Sequence, residues 1–228
     1  LFASGGPLLV YALAGIQLDK SRTRATLLTV WFTLNLTLSV LYLVDGSLID
    51  SARAAAYRAW AIALASTKNL HEENYNYTSD RQRLDVISEY LFVLVHCADR
   101  LCSQHFSPEK RHTFVQELSL GCARHLQRNA SEILGLDNHR KLFIDLLNVR
   151  TTEYAQYSFD ELEPRFGLLK SLGTNIQQVM GESQTNRWVI DQVITVDGPD
   201  AVRLFLDILK NLLGPQIKQA LGDSVTES

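Results

Sequence analysis

Residues 80–105, DRQRLDVISEYLFVLVHCADRLCSQH, carry apolar side chains at the spacing of an α-helix. These side chains form one broad stripe, made of Leu84, Ile87, Leu91, Leu94, Val95, Ala98 and Leu101. Apolar residues that recur every three or four positions lie on one side of a helix and face a core. The stretch therefore predicts a long helix with Asp80 at its start and an end near His105.

A helix start follows directly at residues 107–109, Ser-Pro-Glu. Serine caps a first turn, proline suits the first helical position, and an acidic side chain is favoured by the positive end of the helix. We expect this helix to run from Pro108 and to face the core with one side. Its core-facing side chains are Phe114, Leu118 and Cys122.

The rest of the chain also favours helices over strands. We expect helices to begin at Asp137, at Asp160 and at Gly198, the second ending near Gly181 and the last closed by Gly214 and Pro215. Residues 186–196 are rich in β-branched side chains and suit either a strand or a helix; we expect a helix, because a lone strand has nothing to pair with. The predicted fold class is therefore all-α, with a bundle-like packing of helices.

Two segments precede this region. Ser51 is a suitable cap for an Ala-rich helix that ends near Ser66. Residues 68–79, KNLHEENYNYTS, are polar and lack periodicity, which predicts a linker and a domain boundary. We therefore expect a short helix and linker over residues 49–79 and a soluble helical domain of unknown function over residues 80–221.

A stretch without charge lies further upstream, at residues 25–44, ATLLTVWFTLNLTLSVLYLV. A helix rises about 1.5 Å per residue, so about 20 residues cross the roughly 30 Å hydrocarbon core of a bilayer. We predict a membrane-spanning helix, in which Asn35 needs a partner on another transmembrane segment. The alternative is a fully buried helix in a large soluble core.

A second apolar stretch, residues 1–18, is interrupted by Ser4, Gly5, Gly6 and Pro7. Gly-Gly-Pro breaks a helix, because two residues lack a Cβ and the third lacks an N–H. In a membrane, irregular backbone occurs where it is buried in protein or lines a wet cavity, and transporters use it to bind substrates. A simple loop before a helix is an equally good interpretation.

Three elements occur in a fixed order here: SGGPLLVYAL at residues 4–13, a short basic loop, and RATLL at residues 24–28 followed by a helix rich in Leu and Asn. This order resembles the second repeat of the TauE/SafE family, the sulfite exporter-like membrane permeases. The resemblance covers about residues 1–48. It implies an inner-membrane carrier for sulfur-containing or small organic anions. The residues that it places in the substrate pathway are Ser4, Gly5, Gly6, Pro7 and Asn35.

The chain also departs from that family. The first repeat and the helices expected after residue 44 are missing, so we do not expect the chain to transport a substrate alone. Leu1 and Phe2 are not preceded by a Met or a charged region, which is not the pattern of a signal peptide and suggests a fragment or processed product. The junction near residues 48–52 is either a natural fusion or the result of a changed reading frame.

The basic loop predicts the orientation of the membrane segment. Lys20, Arg22 and Arg24 favour the cytoplasmic side. A cytoplasmic helical domain then requires a second crossing, and residues 52–65, with Arg53 and Arg58, are too short and too charged for it. We expect the inner membrane as the location and a cytoplasmic helical domain, while this conflict leaves the side of the membrane open.

Charge argues against one class of partner. The 228 residues have a formal net charge of −3, and the charges in residues 1–50 cancel, so the negative charge belongs to the helical region. Nucleic-acid binding needs a basic surface. We therefore expect no nucleic-acid partner.

Cys97, Cys102 and Cys122 are an odd number of cysteines, which favours buried free thiols over a disulfide framework. Cys102 and His105 are three residues apart and can share one helical face, as metal ligands or as a thiol–imidazole pair do. The neighbouring residues complete no zinc spacing and supply no third catalytic group. We expect no cofactor and no enzyme activity.

Three hypotheses for function follow. The first is a membrane-associated fragment of a TauE/SafE-like permease that carries a helical domain of unknown role. The second is a helical interaction or regulatory domain, with the first segment as a membrane anchor or an artefact, and with a protein as partner. The third and weakest is an enzyme dependent on a metal or thiol at Cys102 and His105.

Overall fold

The computed structural model describes residues 48–157, 159–160, 163–164, 166–181 and 188–226, with side chains described as far as residue 217. These residues belong to one compact unit that begins at Leu48. The predicted membrane segment at residues 25–44 and the Gly-Gly-Pro element lie outside them. Along the described ranges, no helix is both long enough and apolar enough to cross a membrane.

The fold class is all-α, as predicted. Its elements are α1 (residues 48–72), α2 (Asp80–His105), α3 (Pro108–Leu134), α4 (His139–Tyr154), β1 (Phe159–Asp160), β2 (Glu163–Pro164), α5 (Phe166–Met180), α6 (Val189–Gln192), a π-helical turn (Val193–Asp197) and α7 (Gly198–Thr226). The strands pair antiparallel, with Phe159 opposite Pro164 and Asp160 opposite Glu163. Each strand has only two residues, so the pair is a short connection between α4 and α5 and not a separate sheet layer of the fold.

Helix α2 is the centre of the fold and packs against α3, α4, α5 and α7. Its bounds agree with the prediction, and the Ser79 side chain caps it by accepting a hydrogen bond from the backbone N of Gln82 at 3.2 Å. The predicted apolar stripe of α2 is buried, but the buried surface of the helix is wider than this stripe. Val86, Tyr90, Phe92, Val93 and Cys97 are also fully buried, because helices cover α2 on several sides.

The predicted start of α3 is confirmed. The Ser107 hydroxyl accepts from the backbone N of Lys110 at 3.4 Å, and Pro108 occupies the first helical position. The predicted core residues of this helix are buried at 0% exposure: Phe114, Leu118 and Cys122. For α4 the cap is Asn138, one residue after the predicted Asp137.

The predicted helix start at Asp160 is wrong. Asp160 lies in β1, and α5 begins at Phe166, because the short ladder takes up the residues before it. Phe166, the first residue of α5, is 65% exposed. The predicted end near Gly181 is confirmed: Gly181 has a φ of 66°, a left-handed conformation that glycine adopts without strain.

The final helical run differs from the prediction at Pro215. The predicted helix over residues 186–196 is confirmed for its described part, as α6 and the π turn, and it continues directly into α7. The expected stop at Gly214 and Pro215 is wrong, because α7 continues to Thr226 with Pro215 inside it. Its apolar face extends across the proline, with Leu213 buried and Ile217 packed on the core. This packing outweighs the backbone hydrogen bond that proline removes.

The linker expected at residues 68–79 is shorter in the structure. Helix α1 continues to residue 72, and Ser51 lies within it rather than at its cap. Thr67 and Leu70 extend the buried face of α1, which keeps this last part helical. The Tyr77 hydroxyl then donates to the backbone O of Thr67 at 2.8 Å, so the residues after α1 fold back against it.

Candidate functional site

A groove of about 580 Å³ lies between α2, α3 and α4. Leu84 and Phe92 of α2 line one side, and Leu126 and Ala130 of α3 form part of the base. The Phe92 ring packs on Phe143 of α4, with ring centroids 4.9 Å apart. The inner surface of the groove is therefore mainly apolar.

Apolar side chains also line the open side of the groove. Leu142, Leu146 and Val149 of α4 are 48%, 39% and 57% exposed, and Leu134 at the end of α3 is 37% exposed. The α4 residues follow the spacing i, i+4 and i+7, so they form one stripe along the helix. Contiguous exposed apolar side chains typically mark a surface that binds another molecule.

Charged residues of α2 and α4 lie near this stripe, and Arg81, Asp85 and Asp145 line the groove. Arg81 and Asp85 of α2 approach to 3.5 Å, and Lys141 and Asp145 of α4 approach to 2.5 Å. Both pairs are about half exposed or more, so each contributes little to stability. Their importance lies in the border that they make, which carries both signs of charge.

A buried ion pair lies at the base of the groove. Glu89 of α2 is 1% exposed. Its carboxylate accepts from Nε of Arg150 on α4, at 2.9 Å to Oε2 and 3.1 Å to Oε1, and from Nη2 at 2.8 Å to Oε1. Burial raises the pKa of Glu89, although the hydrogen bonds and charge of Arg150 oppose that rise.

The pair extends into a network that connects three helices. Nη1 of Arg150 donates to Oε2 of Glu153 at 3.2 Å. The other oxygen of Glu153 accepts from the Ser171 hydroxyl and from Nδ2 of Asn175, both on α5. The network therefore fixes α4 against α2 and α5, and it holds the apolar stripe of α4 in a defined orientation.

A second buried carboxyl ends the π turn. Asp197 is 4% exposed, and burial raises its pKa to about 6, with side-chain hydrogen bonds from Gln192 and Asn69 opposing and with Asp200 and Glu73 adding to the rise. It also interacts electrostatically with the hydroxyls of Tyr90 and Tyr77, whose pKa values are raised mainly by burial. Asp197 lines none of the described grooves, so we interpret it as a structural group.

The predicted thiol and metal candidates do not form a site in the described residues. Cys102 is 1% exposed, and burial raises the pKa of its thiol, and that of Cys122, to about 12. Burial raises the pKa of Cys97 further. Within the described ranges, no three His, Cys, Asp or Glu side chains are placed to hold a metal ion. Thiolate chemistry at Cys102 with His105 is therefore unfavourable near neutral pH.

Asp99, next to these candidates, is occupied by an arginine. Nε and Nη2 of Arg111 donate to its two oxygens at 2.7 and 2.6 Å. This pair joins the end of α2 to the start of α3. The substrate-pathway residues expected from the TauE/SafE resemblance lie outside the described residues: Ser4, Gly5, Gly6, Pro7 and Asn35.

The sequence interpretation missed the groove and its ion pair. One signal was present, because Glu89 is a charged residue inside the apolar run of α2, where a buried charge requires a partner. The partner, Arg150, lies 61 residues away, and no local pattern identifies it. The exposure of Leu142 and Leu146 on α4 also depends on how this helix packs, which local spacing does not give.

Comparisons of the chain with protein-family models, with curated proteins and with solved structures each found no significant match. The resemblance of residues 1–48 to the TauE/SafE permeases therefore stays a prediction.

Proposed function

We propose that this chain is a membrane-associated protein whose helical domain is a binding module for an amphipathic helix of a partner protein. The observation that carries the proposal is the groove between α2, α3 and α4, with its exposed stripe of Leu142, Leu146 and Val149. A helix whose apolar residues recur at i, i+3 or i+4, and i+7 packs into a groove of this kind.

The border of the groove supports this choice of partner. Arg81 and Asp85 of α2 and Asp145 of α4 line the groove, so its border carries both signs of charge. Such a border disfavours a strongly acidic or strongly basic ligand. It suits a helix whose apolar face is flanked by charges of both signs.

The buried network supports a binding role over a catalytic one. The Glu89 carboxylate is occupied by Arg150, and Glu153 by Arg150, Ser171 and Asn175. These groups have their hydrogen-bonding capacity used within the fold. They hold the helices that form the groove, and a pre-formed binding surface loses less entropy on association.

The membrane part of the proposal rests on sequence. Residues 25–44 carry no charge and are long enough to cross a bilayer. Their resemblance to a TauE/SafE permease supports an inner-membrane location, with a pathway for sulfur-containing or small organic anions that this chain does not complete alone. The basic loop at residues 19–24 supports a cytoplasmic position for that loop. The expected cytoplasmic position of the helical domain would require a second crossing after residue 44, and no helix of the described residues is long enough and apolar enough to supply it.

Site-specific photocrosslinking tests the binding module. The full chain carries benzoylphenylalanine at position 142 or 146, with position 204 as matched control, because Leu204 is also exposed, at 53%, but lies on α7. We expect a crosslinked protein from positions 142 and 146 whose attachment point lies in a helical segment with the expected apolar spacing. Val149→Glu should abolish that product, and Leu204→Glu should not.

Equal products from position 204, or an attachment point in a segment without that spacing, would contradict the groove as the binding surface.

A further inference from the structure

Helices α1 and α3 approach each other closely at Ala56 and Gly121. A Cβ placed on Gly121 would lie 2.5 Å from the Cβ of Ala56, so this crossing requires glycine at position 121. The guanidinium of Arg124 is also close: its Nη2 would lie 3.7 Å from the Cβ placed on Gly121. Two helix backbones therefore meet here with a guanidinium folded beside them.

A cavity of about 450 Å³ opens at this crossing. Arg53 of α1 and Arg124, His125 and Arg128 of α3 line it together with Ala56 and Gly121. The α3 side chains are spaced at i, i+3, i+4 and i+7 from Gly121, so all face the same side of the helix. Among the described residues that line the cavity, none is acidic.

The guanidiniums of this cavity have weak internal partners. Arg53 approaches Asp50 at 3.4 Å, Arg124 approaches Glu117 at 3.9 Å, and Arg128 approaches Glu132 at 4.0 Å. Exposed pairs of such length contribute about 1 kcal/mol or less. The three arginines can therefore turn toward a stronger anion without a large loss of stability.

His125 is positioned among them by aromatic rings. Its imidazole stacks on Trp60 with a centroid distance of 6.0 Å and an interplanar angle of 20°, and Tyr57 lies 6.1 Å away. Burial lowers the pKa of His125, and the charges of Arg124 and Arg128 lower it further. The neutral ring can donate one hydrogen bond from the edge of the cavity.

We propose that Arg53, Arg124, Arg128 and His125 form a binding site for a phosphate group. Guanidinium pairs recognise phosphate oxygens through two parallel hydrogen bonds, which gives both charge and shape complementarity. Three guanidiniums on two helices can surround one phosphate from different sides. This site is separate from the groove of the proposed function and does not depend on it.

The phosphate has two chemical sources, an anionic phospholipid headgroup or a free phosphate compound. In the sequence, Arg53 lies nine residues after Val44, the last residue of the predicted membrane segment. Basic residues near a membrane segment typically contact anionic lipid. Both ligands present a phosphate group to the arginines, and the experiment below distinguishes the lipid from the free compound.

Native mass spectrometry of the full chain in a neutral detergent tests the site. One titration uses inorganic pyrophosphate and the other uses phosphatidylglycerol, with phosphatidylcholine as the lipid control. The test variant is Arg124→Gln with Arg128→Gln. The matched control is Arg203→Gln with Lys210→Gln, which removes the same charge from exposed pairs on α7.

We expect one saturable adduct per chain with pyrophosphate or with phosphatidylglycerol, weakened on the order of tenfold or more in the Arg124/Arg128 variant, since each lost charged hydrogen bond weakens binding by about that factor. The control variant should bind as the wild type does. Pyrophosphate adducts identify a free phosphate, and adducts with phosphatidylglycerol alone identify a headgroup. No saturable adduct with either probe, or equal weakening in both variants, would overturn the proposal.

Discussion

Arg150 of α4 contacts both carboxylate oxygens of Glu89 on α2, through Nε at 2.9 and 3.1 Å and through Nη2 at 2.8 Å. The two residues are 61 positions apart in the chain, and Glu89 is almost completely buried. This contact connects the central helix to the helix that carries the exposed apolar stripe.

Removal of the arginine should destabilise the domain strongly. Arg150→Met leaves the Glu89 carboxylate buried without its partner, which typically costs about 3–5 kcal/mol. Denaturation of the full chain in mild detergent, followed by circular dichroism, measures the free energy of unfolding. The control is Arg203→Met, whose exposed partner is Asp200, and a loss of about 1 kcal/mol or less is expected there.

The loss in Arg150→Met should also depend on pH. Burial raises the folded-state pKa of Glu89, so protonation favours the folded state, and stability is lost as the pH rises through that pKa. The difference between variant and wild type should therefore shrink at acidic pH, where Glu89 is neutral in both. A loss that is small, or equal at every pH, would mean that the pair does not hold α4 against α2.

Glycine at position 121 should be essential for the contact between α1 and α3. Gly121→Ala places a Cβ 2.5 Å from the Cβ of Ala56, and such overpacking typically costs about 1–3 kcal/mol. Gln116→Ala, at an exposed position of the same helix, is the matched control. It should change the stability by about 0.5 kcal/mol or less. Thermal unfolding compares the two variants, and an equally small effect of Gly121→Ala would contradict the close crossing.

Asp197→Asn should stabilise the fold at alkaline pH and not at acidic pH. The pKa of Asp197 is raised from 3.8 to about 6, so its contribution to stability is present below pH 3.8 and is lost as the pH rises through about 6. The shift corresponds to about 3 kcal/mol at most, which the neutral amide avoids. Unfolding curves of both proteins at several pH values measure it. A variant that is less stable by a constant amount at all pH values would contradict the raised pKa.

The cysteines should react slowly in the folded chain. Cys97, Cys102 and Cys122 are buried at 0–1% exposure, and burial raises the pKa of each thiol. A colorimetric thiol reagent should label them only after unfolding, whereas an added cysteine in Leu204→Cys should react at once. Rapid labelling of Cys102 in the folded wild type would restore the thiol–imidazole hypothesis.

Local signals predicted the parts of the fold that local physics determines. Ser107 caps α3 and Gly181 ends α5, as predicted, because capping and left-handed turns depend on neighbouring residues. The cap of α2 is Ser79, one residue before the predicted start at Asp80. Pro215 shows the limit of such rules. Its helix-breaking tendency is overridden by the packing of Leu213 and Ile217 on the core, which is a tertiary effect.

Contacts between segments that are distant in the chain could not be predicted from local sequence patterns. Glu89 in an apolar run indicated a buried charge, but its partner Arg150 depended on how α4 packs on α2. The phosphate site was hidden in the same way, because a net charge of −3 averages out a local cluster made by Arg53 on one helix and Arg124 and Arg128 on another.

Membrane association through residues 25–44 is the central claim, and alkaline carbonate extraction tests it most directly. Membranes from cells that express the full chain are washed, and the protein in pellet and supernatant is compared with the variant Leu34→Lys with Leu38→Lys. Each lysine costs about 2.5–3.5 kcal/mol at the centre of a membrane helix. We predict that the wild type stays in the pellet and the variant is released. Recovery of the wild type in the supernatant, as a compact monomer without detergent, would contradict the claim.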